Sequence, residues 1–63
     1  MNKYLGFSIT PGMFVINKNS KEWGIGQVQS AIKEKVTINF ENAGKKVINI
    51  NTVPIEIIKL KWH

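Results

Sequence analysis

The strict alternation of apolar and polar side chains in the segment VTINFE, residues 36–41, is the strongest structural signal in the chain. Val36, Ile38 and Phe40 share one parity, and the polar residues between them share the other. Because successive side chains of a β-strand point to opposite faces, this pattern predicts a strand whose even-numbered residues enter the core. The 63 residues include no cysteine, so disulfides and thiolate metal sites cannot reinforce so small a core. Tight β-packing or self-association must stabilise it instead.

Further segments rich in β-branched residues recur between turn formers, and together they predict an all-β fold. The five predicted strands are residues 13–16, 23–32, 36–41, 45–50 and 55–61. The last segment also fits a helical spacing, so a short helical tail is the alternative there. A flat sheet of this size would leave its core in contact with water, so we expect a small five-stranded SH3-like (Tudor-like) barrel. Residues 1–63 form one domain in this interpretation, with 1–11 as an N-terminal extension and 12–61 as the barrel.

Alternation divides the second predicted strand into two faces. The residues expected inside are Gly26, Val28 and Ile32, and those expected outside are Trp23, Ile25, Gln27, Gln29 and Ala31. For the inner faces to coincide, Val28 must lie opposite Phe40 and Ile32 opposite Val36, which requires a bulge or a three-residue loop at 33–35. Gly24 and Gly26 would let the strand bend sharply.

The segment ENAGK, residues 41–45, predicts the next hairpin. It is typical of a three-residue loop with Gly44 in the left-handed conformation. The register that follows places Glu41 opposite Lys45, an opposite-charge pair on the outer face. The same register sets Ile38 against Ile48 and Val36 against Ile50 in the core.

The net charge is +5, and all nine basic residues are lysines. Such a charge favours binding to nucleic acid, and the candidate residues are Lys33, Lys35, Lys45 and Lys46. Lysines also protect strand edges from aggregation, and arginine, the preferred residue for bidentate phosphate and guanine contacts, is absent. Direct nucleic-acid binding is therefore the alternative function rather than the first one.

No enzyme site can be assembled from the sequence. The four glutamates are isolated from one another, Ser20 and Ser30 have no base near them in sequence, and the single histidine is His63. We expect no catalysis, no cofactor and no metal. The N-terminus lacks the apolar run of a signal peptide, and no stretch approaches the length of a membrane helix. The chain is therefore expected to be soluble and cytoplasmic, without membrane contact.

A tryptophan beside a row of carboxamides indicates a protein-binding surface, because interfaces commonly centre on such an anchor with a polar rim. The candidate partner-binding residues are Trp23, Ile25, Gln27, Gln29, Asn39, Asn42, Gly44, Lys45 and Lys46. The alternative for Trp23 is that Tyr4, Phe7 or Trp62 covers it. The apolar tail could also exchange between two copies, so a homodimer used as a structural module is a third possibility.

Three stretches carry a family resemblance: GMFV (12–15), WGIGQVQS (23–30) and VTINFENAGKKVI (36–48). They resemble a family of very short bacterial proteins of uncharacterised function, chiefly alphaproteobacterial, with a pattern close to WGxGQVQS followed by VTVNFExAGK. The resemblance covers roughly residues 12–56.

A more distant similarity concerns two SH3-like (Tudor-like) modules: the C-terminal domain of superfamily 1 DNA-repair helicases and the polymerase-interacting domain of CarD-type transcription regulators. The matching positions are Gly24, Gly26, Val28, Val36, Phe40, Gly44 and Lys45. This similarity implies a docking role in transcription or DNA repair, with RNA polymerase or a helicase as the protein partner.

Overall fold

The computed structural model describes residues 9–59. It contains five strands and one 3₁₀ turn: β1 Phe14–Asn17, the turn Lys21–Trp23, β2 Gly26–Ile32, β3 Lys35–Phe40, β4 Gly44–Asn49 and β5 Ile55–Ile58. The predicted all-β class is confirmed, and β5 is a strand rather than a helical tail. Residues 1–8 of the predicted N-terminal extension and residues 60–61 of the predicted fifth strand lie outside the described residues.

All five strands join one antiparallel sheet in the order β4-β3-β2-β1-β5. Consecutive strands are neighbours except for β4 and β5. Strand β5 instead pairs with β1, which places Ile16 opposite Glu56. Strands β4 and β5 are the two edges, and within residues 9–59 no pairing joins them. The sheet is therefore open between these edges rather than closed into a hydrogen-bonded barrel.

One face of the sheet, which we call the inner face, carries the core. Its buried apolar residues are Val15, Val28, Val36, Ile38, Phe40 and Ile48. The prediction that Val28, Val36, Ile38 and Phe40 point inward is confirmed. Ile55 and Ile57 of the edge strand β5 pack against the same cluster, so both edges contribute to one core.

The start of the second strand was predicted wrongly. Strand β2 begins at Gly26, whereas Trp23 ends the preceding 3₁₀ turn. Gly24 separates the two because its φ of +82° lies in the left-handed region that interrupts an extended chain. A side chain at Gly24 would also come within 2.7 Å of the Glu41 carboxylate. Trp23 and Ile25 therefore do not belong to the alternation of β2.

The predicted β2–β3 register is also wrong. Val28 lies opposite Ile38, and the bulge lies at Gln29, between Val28 and Ser30, rather than at the hairpin end. The hairpin closes with a two-residue turn in which Lys33 has a φ of +55°. Because the bulge inserts one residue, it exchanges the faces beyond it.

Beyond the bulge, two side chains of β2 point to the face opposite to the predicted one. Ala31 lies opposite Val36 and is half-buried against the core. Ile32 lies opposite Lys35 on the outer face and is 70% exposed. Ala31 was expected outside and Ile32 inside, and both expectations are wrong.

The β3–β4 register differs from the predicted one by two residues. Phe40 lies opposite Gly44, and this places Lys45 opposite Asn39 rather than Glu41. Ile48 faces Val36, the position predicted for Ile50. Gly44 has a φ of +80°, so the left-handed glycine is confirmed although the charge pair drawn from it is wrong. Ile50 instead donates its backbone N–H to the carbonyl of Glu34 at 2.9 Å.

Candidate protein-binding surface

The outer face of the sheet carries one continuous cross-strand row, which we call the outer row. Its residues, from β5 through β1, β2 and β3 to β4, are Ile58, Phe14, Gln27, Asn39 and Lys45. Ile58 and Phe14 are half-buried, whereas the other three are exposed. The row thus passes from an apolar end at β5, through two carboxamides, to a cation at β4.

A shallow groove of about 410 Å³ runs along the middle of this row. The groove is lined by Phe14, Ile25, Gln27, Asn39, Phe40, Glu41 and Gly44. Gln27 donates a long hydrogen bond of 3.5 Å from Nε2 to the carbonyl of Gly12. Among residues 9–59, no side-chain hydrogen bond involves the amide of Asn39. The prediction that Gln27 and Asn39 are exposed on the outer face is confirmed.

The end of the groove is built by the turn after β3. Glu41 donates its backbone N–H to the carbonyl of Ile25 at 2.9 Å, and its carboxylate accepts the N–H of Ile25 at 3.4 Å. Asn42 donates its backbone N–H to Trp23 at 2.9 Å and its side-chain amide to the carbonyl of Glu22 at 3.0 Å. This turn therefore fixes Ile25 beside the groove. The Asn42 side chain is engaged in holding the turn against the 3₁₀ segment.

Trp23 does not lie on the outer face, contrary to the sequence prediction. Its half-buried indole packs against the inward-facing Phe40 in an edge-to-face arrangement, with ring centroids 5.1 Å apart and an interplanar angle of 66°. The ammonium nitrogen of Lys46 lies 5.2 Å from the indole centroid. Trp23 therefore closes one end of the core beneath a cation. The predicted covers, Tyr4, Phe7 and Trp62, lie outside the described residues.

The four lysines of the predicted nucleic-acid surface do not form one cluster. Lys33 and Lys35 lie at the β2–β3 turn, and Lys45 and Lys46 lie at the start of β4. Lys35 and Lys45 share the outer face but are separated by about 13 Å along β3, at 3.3 Å per residue. Lys46 has the opposite parity and lies over Trp23.

Sequence reasoning missed Phe14 and Ile58, which form the apolar end of the outer row. Residues 13–16 are apolar throughout, so they have no alternation that would indicate the face of Phe14. Ile58 meets Phe14 only through the β1–β5 pairing, which joins segments far apart in the sequence and is indicated by no local pattern. The exposed Gln29, which was grouped with the other carboxamides, lies at the bulge and does not line the groove.

Within the described part of the chain, no three histidine, cysteine, aspartate or glutamate residues come together in a way that could hold a metal ion. The same residues include no helix long and apolar enough to cross a membrane.

A family model matches residues 9–58 and is described as a protein of unknown function, DUF3553. The match covers most of the chain, and the protein belongs to this family. No curated protein and no solved structure is significantly similar to the chain.

Proposed function

We propose that this member of the DUF3553 family is a non-catalytic protein-binding module whose docking surface is the outer row and its groove. The observation that carries the proposal is the placement of the exposed carboxamides of Gln27 and Asn39 between the apolar Phe14 and the turn at Glu41. An apolar anchor with hydrogen-bonding groups around it is the usual composition of an interface.

The proposed docking surface is held rigidly by the packed sheet beneath it. Its carboxamides stand on two central strands, and the side chains behind them, Val28 and Ile38, are fully buried. Sites built on packed strands keep their geometry better than sites on loops. We propose that the curled sheet is an SH3-like (Tudor-like) barrel left open at β4 and β5, since residues of both edges share one core.

The proposed partner is a component of the transcription or DNA-repair machinery in the cytoplasm. This follows from the resemblance of Gly24, Gly26, Val28 and Phe40 to the polymerase-docking modules of helicases and CarD-type regulators. The first partner to test is bacterial RNA polymerase, and the second is a superfamily 1 helicase.

The test adds purified, nuclease-treated RNA polymerase to the isotopically labelled protein and records amide NMR spectra. We expect signal loss concentrated at Gln27, Asn39 and Ile58. The double variant Gln27→Ala/Asn39→Ala should weaken binding about tenfold, because each lost hydrogen bond contributes about 0.5–1.5 kcal/mol.

The matched control is Asn19→Ala/Asn51→Ala, which also removes two exposed carboxamides but lies outside the groove. The control should bind as the parent does. Equal binding by both double variants would contradict the assignment of the groove. Signal loss at Lys33 and Lys35 on adding oligonucleotide, with none on adding polymerase, would favour nucleic-acid binding instead.

A further inference from the structure

The free side of β4 carries backbone groups that β3 does not use. Beyond the end of β4, Ile50 donates its N–H to the carbonyl of Glu34, which marks this pair as hydrogen-bonded. In an antiparallel ladder such pairs alternate with pairs that exchange no bond. The even-numbered residues of β4 therefore bond to β3. The N–H and C=O groups of Lys45 and Val47 point away from the sheet.

No other backbone hydrogen bond among residues 9–59 reaches these groups of Lys45 or Val47. The next outward carbonyl, that of Asn49, is already occupied, because it accepts the N–H groups of Thr52 at 3.1 Å and Val53 at 3.0 Å. The free part of the edge thus extends from Lys45 to Val47. Its length suits a short added strand.

The side chains along this edge have a defined chemistry. Val47 is 66% exposed on the outer face, and Lys45 lies beside it on the same face. Lys46 is exposed on the inner side, and Ile48 follows it into the core. No acidic residue lies on β4, and the whole chain carries a net charge of +5.

We propose that the β4 edge binds an extended acidic segment of a partner protein as an added antiparallel strand. Main-chain hydrogen bonds to Lys45 and Val47 would supply affinity, and the facing side chains would supply specificity. Acidic residues fit opposite Lys45 and Lys46, and apolar residues fit opposite Val47 and Ile48. Because the added strand runs antiparallel, its sequence reads apolar, apolar, acidic, acidic. This site shares Lys45 with the outer row, but none of the β4 residues that it uses lines the groove.

A second copy of this chain fits the edge less well. It would bring another net charge of +5 to the same strand, and a pairing of three free residues buries far less than the area of a stable interface. Lysines on an edge also oppose self-pairing in general. Charge complementarity therefore selects an acidic partner.

The test titrates the labelled protein with a capped eight-residue peptide, Thr-Thr-Val-Val-Glu-Glu-Thr-Thr. We expect hydrogen exchange to slow at the amides of Lys45 and Val47. The control peptide, Thr-Thr-Glu-Glu-Val-Val-Thr-Thr, has the same composition in reversed order. It should bind about fivefold more weakly, because its glutamates no longer face the lysines.

Two charge variants separate the site from the overall charge. Lys45→Glu should weaken the binding of the first peptide about tenfold, because it turns an attraction into a repulsion. Lys18→Glu changes the net charge equally but lies beyond β1 and away from β4, so it should leave the affinity within about twofold. Gln27→Ala should have no effect, which distinguishes this site from the groove.

Several results would overturn the proposal. They are the absence of binding, equal affinity for the two peptides, equal weakening by Lys45→Glu and Lys18→Glu, and protection at Ile55 and Ile57 on the other edge. A single-stranded oligonucleotide that protects the amides of Lys45 and Val47 more strongly than the peptide would assign the edge to nucleic acid and would also overturn it.

Discussion

Gly26 lies directly opposite Phe40, and the Phe40 ring occupies the space that a side chain at Gly26 would need. A Cβ added there would overlap Ile38 Cγ2 and would lie 2.6 Å from Cδ1 of Phe40. The glycine is therefore required by packing, since Phe40 and Ile38 are both fully buried.

Gly26→Ala should lower the free energy of unfolding by about 1–3 kcal/mol, the usual cost of overpacking a core. Urea denaturation followed by tryptophan fluorescence measures this change. The control is Gly44→Ala, where no atom lies within 4 Å of the added Cβ and only the left-handed backbone opposes it. The control should cost about 1 kcal/mol. A larger loss at Gly44 than at Gly26 would contradict the packing argument.

Trp23 and Lys46 should stabilise the fold as a coupled pair, because the ammonium lies over the indole. A double-mutant cycle with Trp23→Leu and Lys46→Met should give a coupling of about 0.5–1 kcal/mol, the range for exposed cation–π pairs. Thermal unfolding of the four proteins provides the measurement. Trp23→Leu alone should destabilise the protein because Trp23 packs on Phe40. Unchanged stability with loss of partner binding would instead restore the role predicted from the sequence.

The bulge predicts an unusual tolerance to deletion within a central strand. Removing Gln29 leaves Val28 opposite Ile38 and Ser30 opposite Thr37, so every remaining side chain of β2 keeps its face. Removing Gln27 instead would shift the residues before it by one position and move Gly26 from its place opposite Phe40. We expect the Gln29 deletion to retain a cooperative unfolding transition and the dispersed NMR spectrum of a folded protein. The Gln27 deletion should lose both, and the opposite order would show that the bulge is misplaced.

The β2–β3 turn carries a correctable strain at Lys33, the one non-glycine residue with a positive φ among residues 9–59. Lys33→Gly should stabilise the protein by up to about 1 kcal/mol, because glycine adopts this conformation without a steric penalty. Lys35→Gly, which removes the same charge from the neighbouring strand position, should destabilise it by a similar amount. Chemical denaturation of both variants at one ionic strength measures the difference. Stabilisation by both would point to relief of charge repulsion rather than of backbone strain.

Alternation over residues 36–40 was sufficient to predict which residues of β3 enter the core, because that strand is regular from end to end. It failed in β2, where a single extra residue at Gln29 reverses the faces and leaves no mark in the hydrophobic pattern. The β3–β4 register was missed by two residues because the three-residue loop was placed at residues 42–44, whereas Phe40 pairs with Gly44 and the loop is residues 41–43. The Glu41–Lys45 pair that followed from the predicted loop was weak support, since exposed ion pairs contribute little to stability.

The sequence predicted only part of the candidate site, because strand parity is a local property and the rest of the site depends on chain breaks and long-range pairing. Gln27 and Asn39 were placed correctly by strand parity, which is a local property. Trp23 was misplaced because the positive φ of Gly24 interrupts the extended chain between Trp23 and β2. Phe14 and Ile58 were missed because they become neighbours only through a pairing between the first and last strands.

That pairing has a consequence for synthesis of the protein. The pairings of β1 with β2, β2 with β3 and β3 with β4 join residues close in sequence, so they can form early, whereas β1 gains its second neighbour only when β5 is available. Until residues 55–58 have left the ribosome exit tunnel, β1 lacks one neighbour and Val15 lacks the cover that Ile57 provides. The nascent chain is therefore expected to become resistant to proteolysis late and abruptly rather than strand by strand.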